Sequence, residues 1–125
     1  MCGDSTNEED FKKLMNDKIA DMCWTDPPYG VSYKGTNNPN GREWDVLKND
    51  NLRNDALYNF LLSIYKNVSK FTKKNTALYT CYASVNHIIF EKALIEAGYI
   101  LIKDYFKIKH THKSDNNGRK QKINK

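Results

Sequence analysis

The residues best suited to chemistry stand together in one short segment, Asp26-Pro27-Pro28-Tyr29, directly after an apolar run. Proline fixes φ, has no N–H, and holds the residue before it in extended geometry. The segment is therefore predicted to be rigid, with the Asp26 carboxylate and the backbone carbonyl oxygens free to accept hydrogen bonds from a ligand. The Tyr29 ring adds a flat surface for stacking, and Gly30 lets the chain turn away.

Two acceptors beside an aromatic ring suit a planar ligand with an exocyclic amine, such as a nucleobase. Such an amine is a poor nucleophile because its lone pair is delocalised into the ring. Acceptors on both of its hydrogens would favour a tetrahedral nitrogen, whose localised lone pair can attack an electrophilic methyl group. Catalysis of this kind depends on positioning and electrostatics. The alternative is a plain rigid turn after a strand, since Asp-Pro and Pro-Pro are common in loops.

One helix and one strand are predicted before the segment. Overlapping capping-box patterns predict a helix over residues 8–16. These patterns are Thr6-x-x-Glu9 and Ser5-x-x-Glu8. The apolar side chains expected to face inward from this helix are Phe11, Leu14 and Met15. Residues 19–25 are predicted to form a strand, and their run of apolar side chains without alternation is typical of a parallel strand covered on both faces.

Helices and strands alternate after the segment as well. Residues 26–54 contain all three prolines and are predicted to form a long loop, which is usually functional or disordered. The patterns that follow are a helix over 55–71, a strand over 76–83, a helix from Ser84 as N-cap to Ala97 before Gly98, and a strand over 99–109. This order predicts an α/β fold with a largely parallel sheet, in which ligands bind beyond the carboxyl ends of the strands. Asp26 follows such an end.

Charge and composition set further expectations. The net charge is +5, but residues 101–125 carry +6 and residues 1–100 carry −1. A basic end can bind nucleic acid or can be a solvated, disordered tail, and we predict the tail for residues 110–125. No apolar run is long enough to span a membrane, and the acidic N-terminus is unlike a secretory signal, so a cytoplasmic location is expected. The cysteines are predicted to be reduced, and no metal site is predicted because His110 and His112 lack a third ligand nearby.

Three stretches of the sequence resemble the catalytic region of DNA amino-methyltransferases, namely CGDSTNEEDFKKL, ADMCWTDPPYGVSY and KKNTALYTCYASVNHIIFEKALIEAGY. These enzymes methylate N6 of adenine or N4 of cytosine with S-adenosylmethionine. The resemblance covers about residues 2–109. It implies a partial Rossmann-like methyltransferase catalytic domain over residues 1–109, DNA as the substrate and S-adenosylmethionine as the cofactor.

The resemblance also implies roles for single residues. Asp26 and the Pro27 carbonyl would hold the target amine, Pro28 would keep the loop rigid, and Tyr29 would stack on a base flipped out of the duplex. An aspartate at the first of these positions favours adenine over cytosine, and DNA over protein or RNA targets. Asp4 matches an acid that contacts the adenosine part of the cofactor, or else it belongs to an ordinary turn before a helix.

The long loop carries residues that the resemblance links to DNA. Tyr33, Lys34 and Arg42 would contact DNA, the basic side chains at its phosphates, and Trp44 would stack on a base or anchor the loop in the core.

The sequence departs from the family in one respect. The family binds the methionine part of its cofactor on a loop with a Phe-x-Gly-x-Gly pattern, but no two of the six glycines here have Gly-x-Gly spacing. We therefore expect a fragment that binds S-adenosylmethionine weakly or not at all, with the glycine loop on a second chain or on a missing C-terminal segment. Without those strands, the strand before Asp26 would have an exposed edge. The alternative function is a non-catalytic, nucleic-acid-binding remnant of such an enzyme.

Overall fold

The computed structural model describes residues 1–34 and 45–102. Along the chain, the regular elements are α1 (Glu8–Met15), β1 (Cys23–Thr25), α2 (Asn54–Lys70), β2 (Leu78–Thr80), a 3₁₀ turn (Ser84–Asn86) and α3 (His87–Glu96). The alternation of helices and strands predicted up to residue 97 is confirmed, although both strands are shorter than expected. The described part thus combines helices with a two-stranded sheet, and its assignment to the methyltransferase fold stays a prediction.

The two strands are parallel, as predicted, and pair in the register Cys23–Leu78, Trp24–Tyr79, Thr25–Thr80. Alternate residues of a strand point to opposite faces. Cys23 and Leu78 therefore pack against the core, whereas Trp24 and Tyr79 stack on each other at 5.5 Å on the other face. That face is open, since 70% of Trp24 is exposed. The prediction that this strand is covered on both faces is wrong for the part of the chain described here.

The core lies between the sheet, α2 and α3. The apolar periodicity of α2 is confirmed, because its buried residues recur three or four positions apart along one face. The buried apolar side chains of the two helices are Leu57, Leu61, Ile64, Tyr65, Val68, Phe90 and Ala93. The Tyr65 hydroxyl also lies 3.0 Å from the Thr80 hydroxyl, which joins α2 to the end of β2.

Helix α1 begins differently from the prediction. Its N-cap is Asn7, whose Oδ1 accepts a hydrogen bond from the Glu9 N–H at 2.9 Å, and neither predicted capping box forms. The Thr6 hydroxyl donates to Asp4 instead. The inward position predicted for Leu14 is also wrong, because 58% of Leu14 is exposed. The helix has only eight residues and packs through Phe11, whose ring stacks on Phe71 at 5.6 Å.

Helix α3 ends as predicted, but it begins at His87 and not directly after Ser84. Ser84 opens a 3₁₀ turn and makes no side-chain cap, while Gly98 follows the helix with a φ of 94°. Residues 99–102 are not in a strand. The rest of the predicted strand, the 110–125 tail, and Arg42 and Trp44 of the long loop lie outside the described residues.

Candidate functional site

The segment Asp26–Tyr29 leaves the carboxyl end of β1, beside the carboxyl end of β2. The Cys81 N–H donates to the Thr25 carbonyl at 3.0 Å, so the two strands stay paired up to Thr25, which directly precedes Asp26. The predicted position of Asp26, at the carboxyl edge of a parallel pair, is confirmed. At such an edge, groups from neighbouring strands can face one ligand.

The predicted acceptor oxygens of the segment are largely free. Asp26 is exposed, and its Oδ1 accepts a hydrogen bond from the Tyr29 hydroxyl. Within residues 1–34 and 45–102, neither Asp26 Oδ2 nor the Pro27 carbonyl oxygen accepts a hydrogen bond. Pro27 itself is buried and Pro28 is half-buried, so the backbone between the two acceptors is held by packing as well as by its proline rings.

Tyr29 is half-buried, with its ring in contact with the core and its hydroxyl in contact with Asp26. Its ring packs against the core, so only part of the ring surface is open for stacking. Burial raises the pKa of the Tyr29 phenol, and its hydrogen bond to the Asp26 carboxylate raises that pKa further. The phenol therefore stays protonated near neutral pH and acts as a donor to Asp26.

A buried carboxylate that sequence reasoning missed organises the turn after the segment. Asp50 is only 2% exposed. Its Oδ1 accepts the N–H groups of Gly30 and Val31 at 2.9 and 3.4 Å, and its Oδ2 accepts the N–H of Tyr33 at 2.7 Å. Burial alone would raise the pKa of Asp50, but the backbone N–H donors outweigh it and the pKa is lowered.

Two further side chains hold the carbonyl groups of the same turn. Asn86 Nδ2 donates to the Tyr29 carbonyl at 2.7 Å. Arg53 Nη1 donates to the Gly30 carbonyl, and its Nη2 donates to the Ser32 hydroxyl at 2.8 Å. We call Asp50, Arg53 and Asn86 the clamp. No local sequence pattern predicts these contacts, since the three residues lie 17 to 57 positions along the chain from the groups of the turn that they bind.

Asp4 belongs to a turn at the start of α1. Its Oδ1 accepts the Thr6 N–H at 2.9 Å and the Thr6 hydroxyl at 2.8 Å, and these bonds lower the pKa of Asp4. This is the helix-leading turn that the sequence offered as the alternative, and a cofactor contact by Asp4 stays a prediction. The expectation that the chain binds S-adenosylmethionine weakly or not at all, because the sequence has no Gly-x-Gly pair, also stays a prediction.

Two of the three residues predicted to contact nucleic acid are described. Tyr33 is 55% exposed although its backbone N–H is bound by Asp50, and Lys34 is exposed next to it. Arg42 lies outside the described residues. Tyr33 and Lys34 lie at the end of the turn that the clamp holds. The clamp therefore also fixes the backbone from which these two side chains project.

Comparison with models of known protein families, with curated proteins and with solved structures found no match to the chain. Membership of the DNA amino-methyltransferases therefore stays a prediction. None of the helices in residues 1–34 and 45–102 has the length and apolar content needed to cross a membrane. The same residues contain no group of three His, Cys, Asp or Glu side chains that could hold a metal ion.

Proposed function

We propose that this chain forms the target-amine site of a DNA N-methyltransferase, with adenine N6 as the target and S-adenosylmethionine as the implied methyl donor. The observation that carries the proposal is the pair of free acceptors, Asp26 Oδ2 and the Pro27 carbonyl oxygen, beside Tyr29 at the carboxyl edge of the sheet. The sequence resemblance supports it as well. Because the sequence has no Gly-x-Gly pair for the methionine part of the cofactor, the proposal covers binding and activation of the amine.

Each acceptor has a defined task in this proposal. A flipped adenine would donate one amino hydrogen to Asp26 and the other to the Pro27 carbonyl, with its ring against the open part of Tyr29. The carboxylate would also stabilise the positive charge that develops on the nitrogen as the methyl group leaves its donor and bonds to the nitrogen, which would then lose a proton. Since the Tyr29 hydroxyl already occupies Oδ1, the amine would use Oδ2.

Binding of a duplex with one unpaired base tests the proposal without the cofactor. One duplex carries an unpaired adenine, and a second carries purine, which lacks the amino group. Because a hydrogen bond to a charged acceptor contributes about 1.5–3 kcal/mol, we expect the chain to bind the adenine duplex about 10-fold more tightly. Fluorescence anisotropy at one fixed salt concentration measures both affinities, since binding to phosphates depends strongly on salt.

Two substitutions with the same change in charge provide the control. Asp26→Ala should bring the adenine-to-purine affinity ratio close to 1. Asp21→Ala removes a carboxylate that is also exposed, before the start of β1, where it pairs with Lys73, and should leave the ratio unchanged. Equal binding of both duplexes by the unsubstituted chain would contradict the proposal and favour the non-catalytic, nucleic-acid-binding alternative. Absence of DNA binding would contradict both.

A further inference from the structure

We propose that Asp50 is a positioning residue that fixes the Asp26–Tyr29 segment in its amine-binding geometry, an inference that rests on the proposed function. Asp50 contacts none of the predicted acceptors itself. It acts on three of the four residues that follow the segment, Gly30, Val31 and Tyr33, through both oxygens of a carboxylate that is almost fully buried.

The two prolines do not restrain every backbone angle of the segment, and Asp50 supplies a further restraint. Each proline fixes its own φ, and Pro28 also holds Pro27 in extended geometry, but the ψ angle of Pro28 and both angles of Tyr29 are not fixed by the proline rings. Pairing between β1 and β2 holds the segment at its beginning, up to Thr25. At its other end, hydrogen bonds to the peptide groups of Tyr29 and Gly30 hold the backbone, in addition to the packing of the Tyr29 ring against the core.

The clamp holds those peptide groups from both sides. Asp50 accepts the N–H of Gly30, while Asn86 and Arg53 donate to the carbonyls of Tyr29 and Gly30. Arg53 Nη1 also lies 3.3 Å from the Asp50 carbonyl, so these two clamp residues are tied to each other. With the peptide groups fixed, the direction of the Tyr29 Cα–Cβ bond is fixed, and packing of the ring against the core then places its hydroxyl beside Asp26.

Asp50→Asn tests this inference with little change in shape. The single amide oxygen can still accept from Gly30 and Val31, but the NH₂ group would face the N–H of Tyr33, which is a donor. The turn should shift, and misplacement of a catalytic group by about 1 Å can cost on the order of 100-fold in rate. We expect the adenine-to-purine affinity ratio to fall from about 10 to about 3 or less.

The ratio separates positioning from simple stability. An unfolded fraction lowers the affinity for both duplexes by the same factor, so a variant that is only destabilised keeps its ratio. Asn67→Ala is the matched control, because Asn67 is a buried polar residue towards the other end of α2 whose Nδ2 donates to the Ser5 carbonyl at 3.1 Å. This variant should be less stable and keep the ratio of the unsubstituted chain.

A second measurement reports the position of Tyr29 without any ligand. The ring signals of Tyr29 in a ¹³C-tyrosine-labelled sample can be assigned with Tyr29→Phe among the eight tyrosines. We expect these signals to shift in Asp50→Asn and to stay in place in Asn67→Ala. Unchanged ring signals, or an unchanged ratio in a chain that does prefer adenine, would overturn the inference. Shifted signals in a chain without any preference for adenine would support the positioning role and contradict the proposed function.

Discussion

At the scale of single residues, Gly30 is the point where the Asp26–Tyr29 segment turns into the clamp. It is buried, and its φ of 71° lies in the left-handed region. A Cβ at this position would lie 2.6 Å from Leu57 Cδ2 and 2.8 Å from the Leu52 carbonyl oxygen. The left-handed φ and the lack of room for a Cβ both require glycine here, because the backbone lies directly against the first turn of α2.

Gly30→Ala should therefore destabilise the chain strongly. The left-handed conformation costs a residue with a side chain about 1–2 kcal/mol, and overpacking adds about 1–3 kcal/mol. We expect the free energy of unfolding, measured by urea denaturation, to fall by about 3 kcal/mol or more. Gly98→Ala is the control, since Gly98 also has a positive φ but a Cβ there would meet no atom within 4 Å. A loss as small as that of Gly98→Ala would show that the backbone near Leu57 moves to make room.

The candidate site was only partly predictable from sequence, for a physical reason. Asp26–Tyr29 could be found because proline restricts its own backbone and that of its neighbour, which is a local effect. Asp50 bonds to backbone N–H groups 17 to 20 residues away, and nothing in its local sequence distinguishes it from any acid before a helix. Only the fold brings the two together.

At the scale of elements, the length of an amphipathic pattern decided how well it could be predicted. Helix α2 has 17 residues, and its apolar stripe repeats often enough to specify the buried face. Helix α1 has eight residues and a single aromatic contact with Phe71, so the same reasoning misplaced Leu14. The strands kept their predicted direction, but the sequence gives no sign that the Trp24 face is open, because that depends on which elements pack there.

A pair of leucine substitutions tests this difference between the helices. Leu61 is fully buried, and Leu61→Ala should lower the free energy of unfolding by about 2–5 kcal/mol through lost burial and a cavity. Leu14→Ala makes the same chemical change on α1 at a largely exposed site and should cost no more than about 0.5 kcal/mol. Thermal or urea denaturation measures both. A large cost for Leu14→Ala would restore the inward position predicted from the sequence.

At the scale of the whole molecule, ionisable groups make the free energy of unfolding depend on pH at both the acid and the alkaline end. The carboxyls of Asp50 and Asp4 are hydrogen-bonded as carboxylates, so their pKa values are lowered. Burial raises the pKa of Tyr65 to about 12, and it also raises the pKa of Tyr99. Folding therefore favours charged carboxylates and neutral phenols, which predicts that stability is highest between the two titration ranges.

The two ends of the pH profile should respond to different substitutions. The contribution of Asp50 is complete above its ordinary pKa of 3.8 and is lost as the pH falls through its lower folded value. The contribution of Tyr65 is complete below its ordinary pKa of 10.0 and is lost as the pH rises towards about 12, which costs about 3 kcal/mol. Urea denaturation from pH 3 to 12 should therefore show a plateau with a fall at each end. Asp50→Asn should make the acid fall shallower and Tyr65→Phe the alkaline fall, each leaving the other end unchanged, because the two side chains titrate independently. Part of each fall should remain, because Asp4 also has a lowered pKa and Tyr29 and Tyr99 also have raised pKa values. An acid fall that is equally steep in Asp50→Asn would mean that the backbone N–H groups of the turn do not hold the Asp50 carboxylate in solution.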